Sequence, residues 1–238
     1  MDASDAGSLR QRQNLRTPPA EVKLTGLLGG SFNPAHGGHR AVSLFALDAL
    51  GLDEVWWLVS PGNPLKPKAG MAPLAIRVQS AKAVARRAPI RVTAIERELG
   101  TRFTVDTLRA LKRRYPRRRF VWLMGADNLA QFHLWKNWRR IAHEMPIAVI
   151  ARPGYDAAAL ASPAMAWLRR YRLSAAGFRN RGGWSAPALI ELRFDPDPRS
   201  ATQVRRSDPD WASRYIGLSA RDGVTHSPIH DVARAGGA

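Results

Sequence analysis

From Glu21 onward, short apolar runs alternate with longer stretches in which apolar residues recur every three or four positions. Val22–Leu28 has the compact apolar character of a strand and ends at Gly29–Gly30. Beyond the glycines, Val42, Phe45, Ala46, Ala49 and Leu50 fall at i, i+3, i+4, i+7 and i+8, one face of a helix, and Gly51 is placed to stop it. Val55–Val59 predicts the next strand and Ser60–Pro73 a loop rich in proline, glycine and lysine. A helix over Leu74–Arg87 and a strand over Ile90–Ile95 follow. Thr104 is a good N-cap for a helix through Arg114, with Val105, Leu108 and Leu111 on one side and Asp106 in the dipole-favoured first turn. The remainder predicts a strand at Phe120–Met124, a helix over Asn128–Glu144, a strand at Ile147–Ala151 and a helix over Ala157–Tyr171. After a connection at Leu173–Pro187, a last strand is expected at Leu189–Phe194.

Such alternation implies right-handed crossovers and the α/β class: a Rossmann-like open parallel sheet with helices on both faces. No internal repeat or composition break divides residues 21–220, which read as a single domain. Residues 1–20 are polar, end in Pro18–Pro19 and lack periodicity, so a disordered lead is expected there, with a loose tail over 221–238. Both the lead and the last dozen residues are expected to be dispensable.

Composition narrows the function. The chain of 238 residues has no cysteine, which excludes a disulfide scaffold, thiolate metal sites and a cysteine nucleophile. No apolar run approaches the ~20 residues of a membrane span, and the N-terminus lacks the pattern of a secretory signal. A soluble cytoplasmic protein without membrane association is expected. The 37 basic and 19 acidic residues leave a net charge of +18, which favours anionic partners. Of the 37, 31 are arginine, scattered rather than gathered in one stripe. A basic surface in contact with water accounts for them without a specific nucleic-acid partner.

The sharpest feature is Gly29-Gly30-Ser31-Phe32-Asn33-Pro34-Ala35-His36-Gly37-Gly38-His39, which leaves the first strand and enters the first helix. In open α/β sheets ligands sit beyond the carboxyl ends of the strands, with anions at helix N-termini. Glycine lets backbone N–H groups approach such a ligand. Two histidines three apart at the helix start suit a polyphosphate that gains charge during reaction. A catalytic metal on the histidines lacks a third ligand nearby in sequence, and neither a Walker loop nor the GxGxxG fingerprint is present.

This segment resembles the G-x-F-[DN]-P-x-H-x-G-H signature of the HxGH nucleotidylyltransferase superfamily, and further segments resemble the bacterial nicotinate-nucleotide adenylyltransferases within it. These are Leu52–Lys66, Phe103–Leu108 (FTVDTL), Met124–Trp135 (MGADNLAQFHLW), Ala151–Tyr155 (ARPGY) and Ser200–Arg205 (SATQVR), spanning roughly Leu24 to Tyr215. The resemblance implies direct attack of nicotinate mononucleotide on the α-phosphorus of ATP, with Mg2+ accompanying the triphosphate, no metal held by the protein alone and no covalent enzyme intermediate. It implies that His36, His39, Lys66 and Arg205 act on the phosphates. Gly29, Gly30, Ser31, Phe32, Gly125, Asp127, Ser200 and Thr202 would bind ATP, Asp127 through its ribose. Asn33, Thr104, Trp135 and Arg152 would serve the mononucleotide, Trp135 by stacking. The chain departs from the family pattern at Leu65, in place of a histidine, at Ala201, in place of the motif's second serine, at Arg199, in place of an apolar residue ahead of that motif, and at Asn33, where many members carry aspartate. Alternatives are an HxGH adenylyltransferase for nicotinamide mononucleotide or phosphopantetheine, or a basic nucleic-acid-binding protein on the same fold. Homo-oligomerisation stays open.

Overall fold

The computed structural model describes residues 22–62, 70–151, 156–180, 184–194 and 200–230. The expected lead and the end of the expected tail lie outside them, as do Lys66 and Arg152.

Six parallel strands form the central sheet in the order β3-β2-β1-β4-β5-β6: β1 Lys23–Gly30, β2 Glu54–Val59, β3 Ile90–Thr93, β4 Arg118–Gly125, β5 Ile147–Ala151 and β6 Leu189–Arg193. Period-two alternation sends Val55, Trp57 and Val59 of β2 to one face and Trp56 and Leu58 to the other, so both faces are apolar and both must be covered. On the first face lie α1 (Gly37–Leu50), α2 (Leu74–Ala85) and α9 (Ala175–Arg179). The second carries α4 (Thr104–Arg114), α5 (Ala126–Gln131), α6 (Trp138–Glu144) and α8 (Pro163–Leu168). Short helices α3 (Ile95–Glu98), α7 (Asp156–Leu160) and α10 (Ala201–Ser207) complete the connections. The open parallel sheet read from the sequence is the observed fold. Strand order reverses between β1 and β4, and the crevice beyond their carboxyl ends, at Gly30 and Gly125, is where such sheets bind ligands.

Four local expectations are corrected. The helix expected over Asn128–Glu144 breaks into α5, a turn of 3-10 helix at Phe132–Leu134 and α6, because Asn137 adopts φ 51° and Trp135 is extended. The helix over Ala157–Tyr171 also divides, with Ser162 accepting from Met165 N to start α8. The strand at Ile90–Ile95 stops at Thr93, whose hydroxyl accepts from Ile95 N and turns the chain into α3. Thr104 is the first helical residue of α4 and does not cap it; Phe103 stands at the cap without a side-chain bond.

The tail expected from residue 221 is ordered as far as 230. Ala220–Arg221 (β7) pairs with Pro228–Ile229 (β8), and Gly223 N donates to Val92 O at 2.8 Å. Asp222, 4% exposed, accepts from Thr93 Oγ1 and Ala94 N, both at 2.7 Å, and from Val224 N and Thr225 N at 2.8 and 3.0 Å. Trimming the last dozen residues would therefore remove β8. Asp222→Ala should leave several buried donors unmatched and lower unfolding free energy by about 2–4 kcal/mol, measured by urea denaturation.

Candidate active site

The turn from β1 to α1 lies at the switch point. Phe32, 1% exposed, has φ 46° and stacks on Trp57 with centroids 5.1 Å apart and an interplanar angle of 19°. Trp57 Nε1 donates to Ser43 Oγ at 2.8 Å, and that hydroxyl donates to His39 O at 2.8 Å, so the tryptophan also braces the start of α1. Gly29 lacks a side chain because a Cβ there would lie 2.6 Å from the Trp122 ring. The turn is thus pressed onto two aromatic side chains.

The two histidines cap α1 reciprocally. His36 Nδ1 accepts from Gly38 N, and His39 Nδ1 accepts from His36 N, each at 3.2 Å. An accepting Nδ1 carries no proton, so this geometry assigns both rings the neutral tautomer with N–H at Nε2. Their centroids are 3.9 Å apart, and His39 lies 4.8 Å from the Phe32 ring. Helix capping, tautomer choice and ring placement follow from one spacing, H-x-x-H.

Beyond the turn opens a cavity of about 490 Å³. One side is formed by Gly29, Gly30, Ser31, Phe32, Asn33 and His39, another by Gly125, Asp127 and Asn128. A third side holds Phe103, Thr104, Leu134, Trp135 and Lys136. Of the expected site residues the cavity gathers Gly29, Gly30, Ser31, Phe32, Asn33, His39, Thr104, Gly125, Asp127 and Trp135. His36, 8% exposed, is not among the lining residues and stands next to His39 as its cap partner. Gly125 ends β4 next to the Asp127 carboxylate, where a Cβ would crowd that carboxylate. Trp135, in the break between α5 and α6, is held edge-on by Phe132 at 5.4 Å and Trp122 at 6.3 Å.

Other expected residues have intramolecular duties. The Asn33 amide donates from Nδ2 to Gly70 O at 2.9 Å and accepts at Oδ1 from Ala72 N at 3.0 Å, so it ties the turn to the segment before α2. Ser200 caps α10 by accepting from Gln203 N at 3.2 Å. Thr202 Oγ1 accepts from Arg205 at 3.2 Å, and the other arm of Arg205 donates to Asn33 O, which fastens α10 to the turn. Asn33 still lines the cavity, and of α10 Ala201 does so, while Ser200, Thr202 and Arg205 are not among its lining residues.

The sequence reading missed Glu96, Ser60, Arg102 and Lys136 in the cavity wall. Lys136 lies over the Phe103 ring at 4.2 Å and 3.7 Å from Asp106, beside Arg102. Its place next to Trp135 was a usable signal. Glu96 offered none, since its burial arises from packing of α3 against β2. That burial pushes its carboxyl up to about 7, with a hydrogen bond from Ser60 pulling the other way. The folded protein therefore keeps this proton to about pH 7 while the unfolded chain releases it near 4.5. Stability falls across that window as pH rises, by up to about 3 kcal/mol from this one group. Glu96→Gln should flatten that loss and stabilise the protein at pH 8, as read by denaturant titrations at pH 5 and pH 8.

The cytidylyltransferase-like family model matches residues 27–207. A probable nicotinate-nucleotide adenylyltransferase of Erythrobacter litoralis is 73% identical over 205 residues, 86% of this chain and 94% of that protein. One of the same description from Parvibaculum lavamentivorans is 53% identical over 203 residues, covering 85% and 99%. Among solved structures, the Plasmodium falciparum nicotinic acid mononucleotide adenylyltransferase complexed with NaAD superposes with a TM-score of 0.57 at 16% identity. The match covers 82% of this chain and 91% of that one, a likeness of fold.

Proposed function

The chain belongs to the cytidylyltransferase-like family and, within it, to the nicotinate-nucleotide adenylyltransferases, and from that premise we propose how its own residues carry out the reaction. The enzyme transfers the adenylyl group of ATP to nicotinate mononucleotide, giving nicotinate adenine dinucleotide and pyrophosphate for NAD biosynthesis. A phosphate oxygen of the mononucleotide bonds to the α-phosphorus as the bond from that phosphorus to the β-bridging oxygen breaks, and pyrophosphate leaves with the electron pair. The attacking phosphate is already an anion, so no general base is needed. The chain's task is to bring two anions together and to offset charge gathering on pyrophosphate.

His39 donates from Nε2 to the triphosphate, with His36 fixing its ring through the cap and donating beside it. Neutral donors suit this role, since their tautomer is set before substrate arrives and needs no reorganisation. Backbone at Gly29, Gly30, Ser31, Phe32 and Gly125 lines the adenylyl group, and Asp127 meets the ribose. Arg205 and Lys66 are assigned to the departing phosphates, while the hydroxyls of Ser200 and Thr202 support α10. Thr104, Trp135 and Arg152 receive the mononucleotide, and Asn33 acts as a clamp beside it. Mg2+ is carried on the triphosphate and draws charge from its oxygens when bound.

The observation that carries this reading is His39, held by its reciprocal cap with His36 at the sheet's switch point and lining the same cavity as Trp135. Turnover with ATP and each mononucleotide separately tests it. The nicotinate substrate should be preferred, because Arg102 and Lys136 at the Trp135 end favour a carboxylate over a carboxamide. Equal turnover of acid and amide would defeat that assignment.

A further inference from the structure

Arg77 is an arginine of α2, yet it is only 1% exposed. Its Nε donates to Ala72 O at 2.8 Å, and a single terminal nitrogen donates to Ser31 O at 2.7 Å and Ser60 O at 2.8 Å. Ser31 and Ser60 are the first residues beyond the ends of β1 and β2. Gly30 and Val59 are register partners, and Ser60 N still donates to Gly30 O at 2.9 Å. One residue further the chains separate, one toward His36 and His39, the other toward Gly62. Arg77 supplies the donors that the sheet ladder no longer provides there.

The Ser31 carbonyl is one half of the Ser31–Phe32 peptide. In a planar trans peptide, C=O and N–H point in opposite directions. With the carbonyl turned to Arg77, the Phe32 N–H is turned away from it, in a turn whose Ser31 and Phe32 both line the cavity. Phe32 holds φ 46°, a conformation costly for a side chain of that size, so this peptide needs external restraint.

We propose that Arg77 is a positioning residue for adenylyl transfer: it locks the Ser31–Phe32 peptide so that the Phe32 N–H faces the nucleotide, and sets the spacing between the two strand ends that flank the site. This rests on the adenylyl-transfer reading of the cavity. An ammonium can reach one or two carbonyls but cannot reproduce the arginine fork. Arg77→Lys should therefore fold while lowering kcat roughly ten- to a hundredfold, with the KM of the mononucleotide little changed. Arg77→Gln, with a shorter two-donor amide, gives a second variant should the first not fold.

Two readouts separate outcomes. In 15N–1H spectra the Phe32 amide of the native protein should shift on adding α,β-methylene ATP, and that shift should shrink in Arg77→Lys while the response of Asp127 is retained. A lowered melting temperature with native kcat, and a native Phe32 response at a temperature where the variant is folded, would reduce Arg77 to a packing residue and overturn the proposal. If the native protein formed no dinucleotide, the reading of function would fall, and the Phe32 response would still decide whether Arg77 orients that peptide.

Discussion

Replacing His39 with alanine is expected to lower kcat by about a hundred- to a thousandfold with little change in ATP affinity. The reason is when the charge appears. Triphosphate oxygens are bound before and during reaction, but negative charge moves onto the departing pyrophosphate only in the transition state, so a donor placed there favours the transition state over bound ATP. His39 is a better test than His36. His36 Nδ1 accepts from Gly38 N at the start of α1, and its loss would also cost a helix cap, about 1 kcal/mol. His39→Ala keeps that bond and gives up the reciprocal one from His36 N. Matched melting curves then separate chemistry from folding, and a folded variant with near-native kcat would remove the histidine pair from catalysis.

Trp135→Ala should act on the other substrate. A stacked ring is in place in the ground state and in the transition state alike, so its loss raises the mononucleotide KM while kcat holds. Aromatic stacking is worth about 1–3 kcal/mol, which corresponds to roughly a tenfold to hundredfold change. Trp135 is half-buried and held by the edges of Phe132 and Trp122, so its removal costs less stability than a fully buried tryptophan would. Steady-state kinetics with each substrate varied in turn distinguish this outcome from that of His39→Ala. An unchanged mononucleotide KM would show that the nicotinate ring does not rest on Trp135.

The strand–helix alternation and the glycine-rich turn were legible because both are local: period-two and period-3.6 patterns and one contiguous segment carry them. What escaped depends on distant partners. Arg77 is one of 31 arginines, and only the convergence of Ser31, Ser60 and Ala72 carbonyls distinguishes it. Glu96 lies in the charged stretch Glu96-Arg97-Glu98, for which the sequence predicted no element, and its burial comes from β2. The ordered hairpin after residue 219 depends on Asp222 meeting Thr93 and Ala94, about 130 residues earlier, where no periodicity could announce it. The break at Trp135 was hidden because the apolar spacing of Phe132, Trp135 and Trp138 also fits an unbroken helix. Asn33 and Ser200 were read as ligand contacts from motif alone, and the bonds their side chains make within the chain could not be read from it.

The central claim is that this cavity joins an adenylyl group to nicotinate mononucleotide by direct displacement. The most direct measurement follows ATP labelled at the α-phosphorus, incubated with the purified protein, Mg2+ and nicotinate mononucleotide, with products separated by chromatography. The label should appear in nicotinate adenine dinucleotide, one equivalent per pyrophosphate released, and no label should remain on the protein after denaturation. Label left on ATP, released as AMP without dinucleotide, or retained covalently on the chain would contradict it.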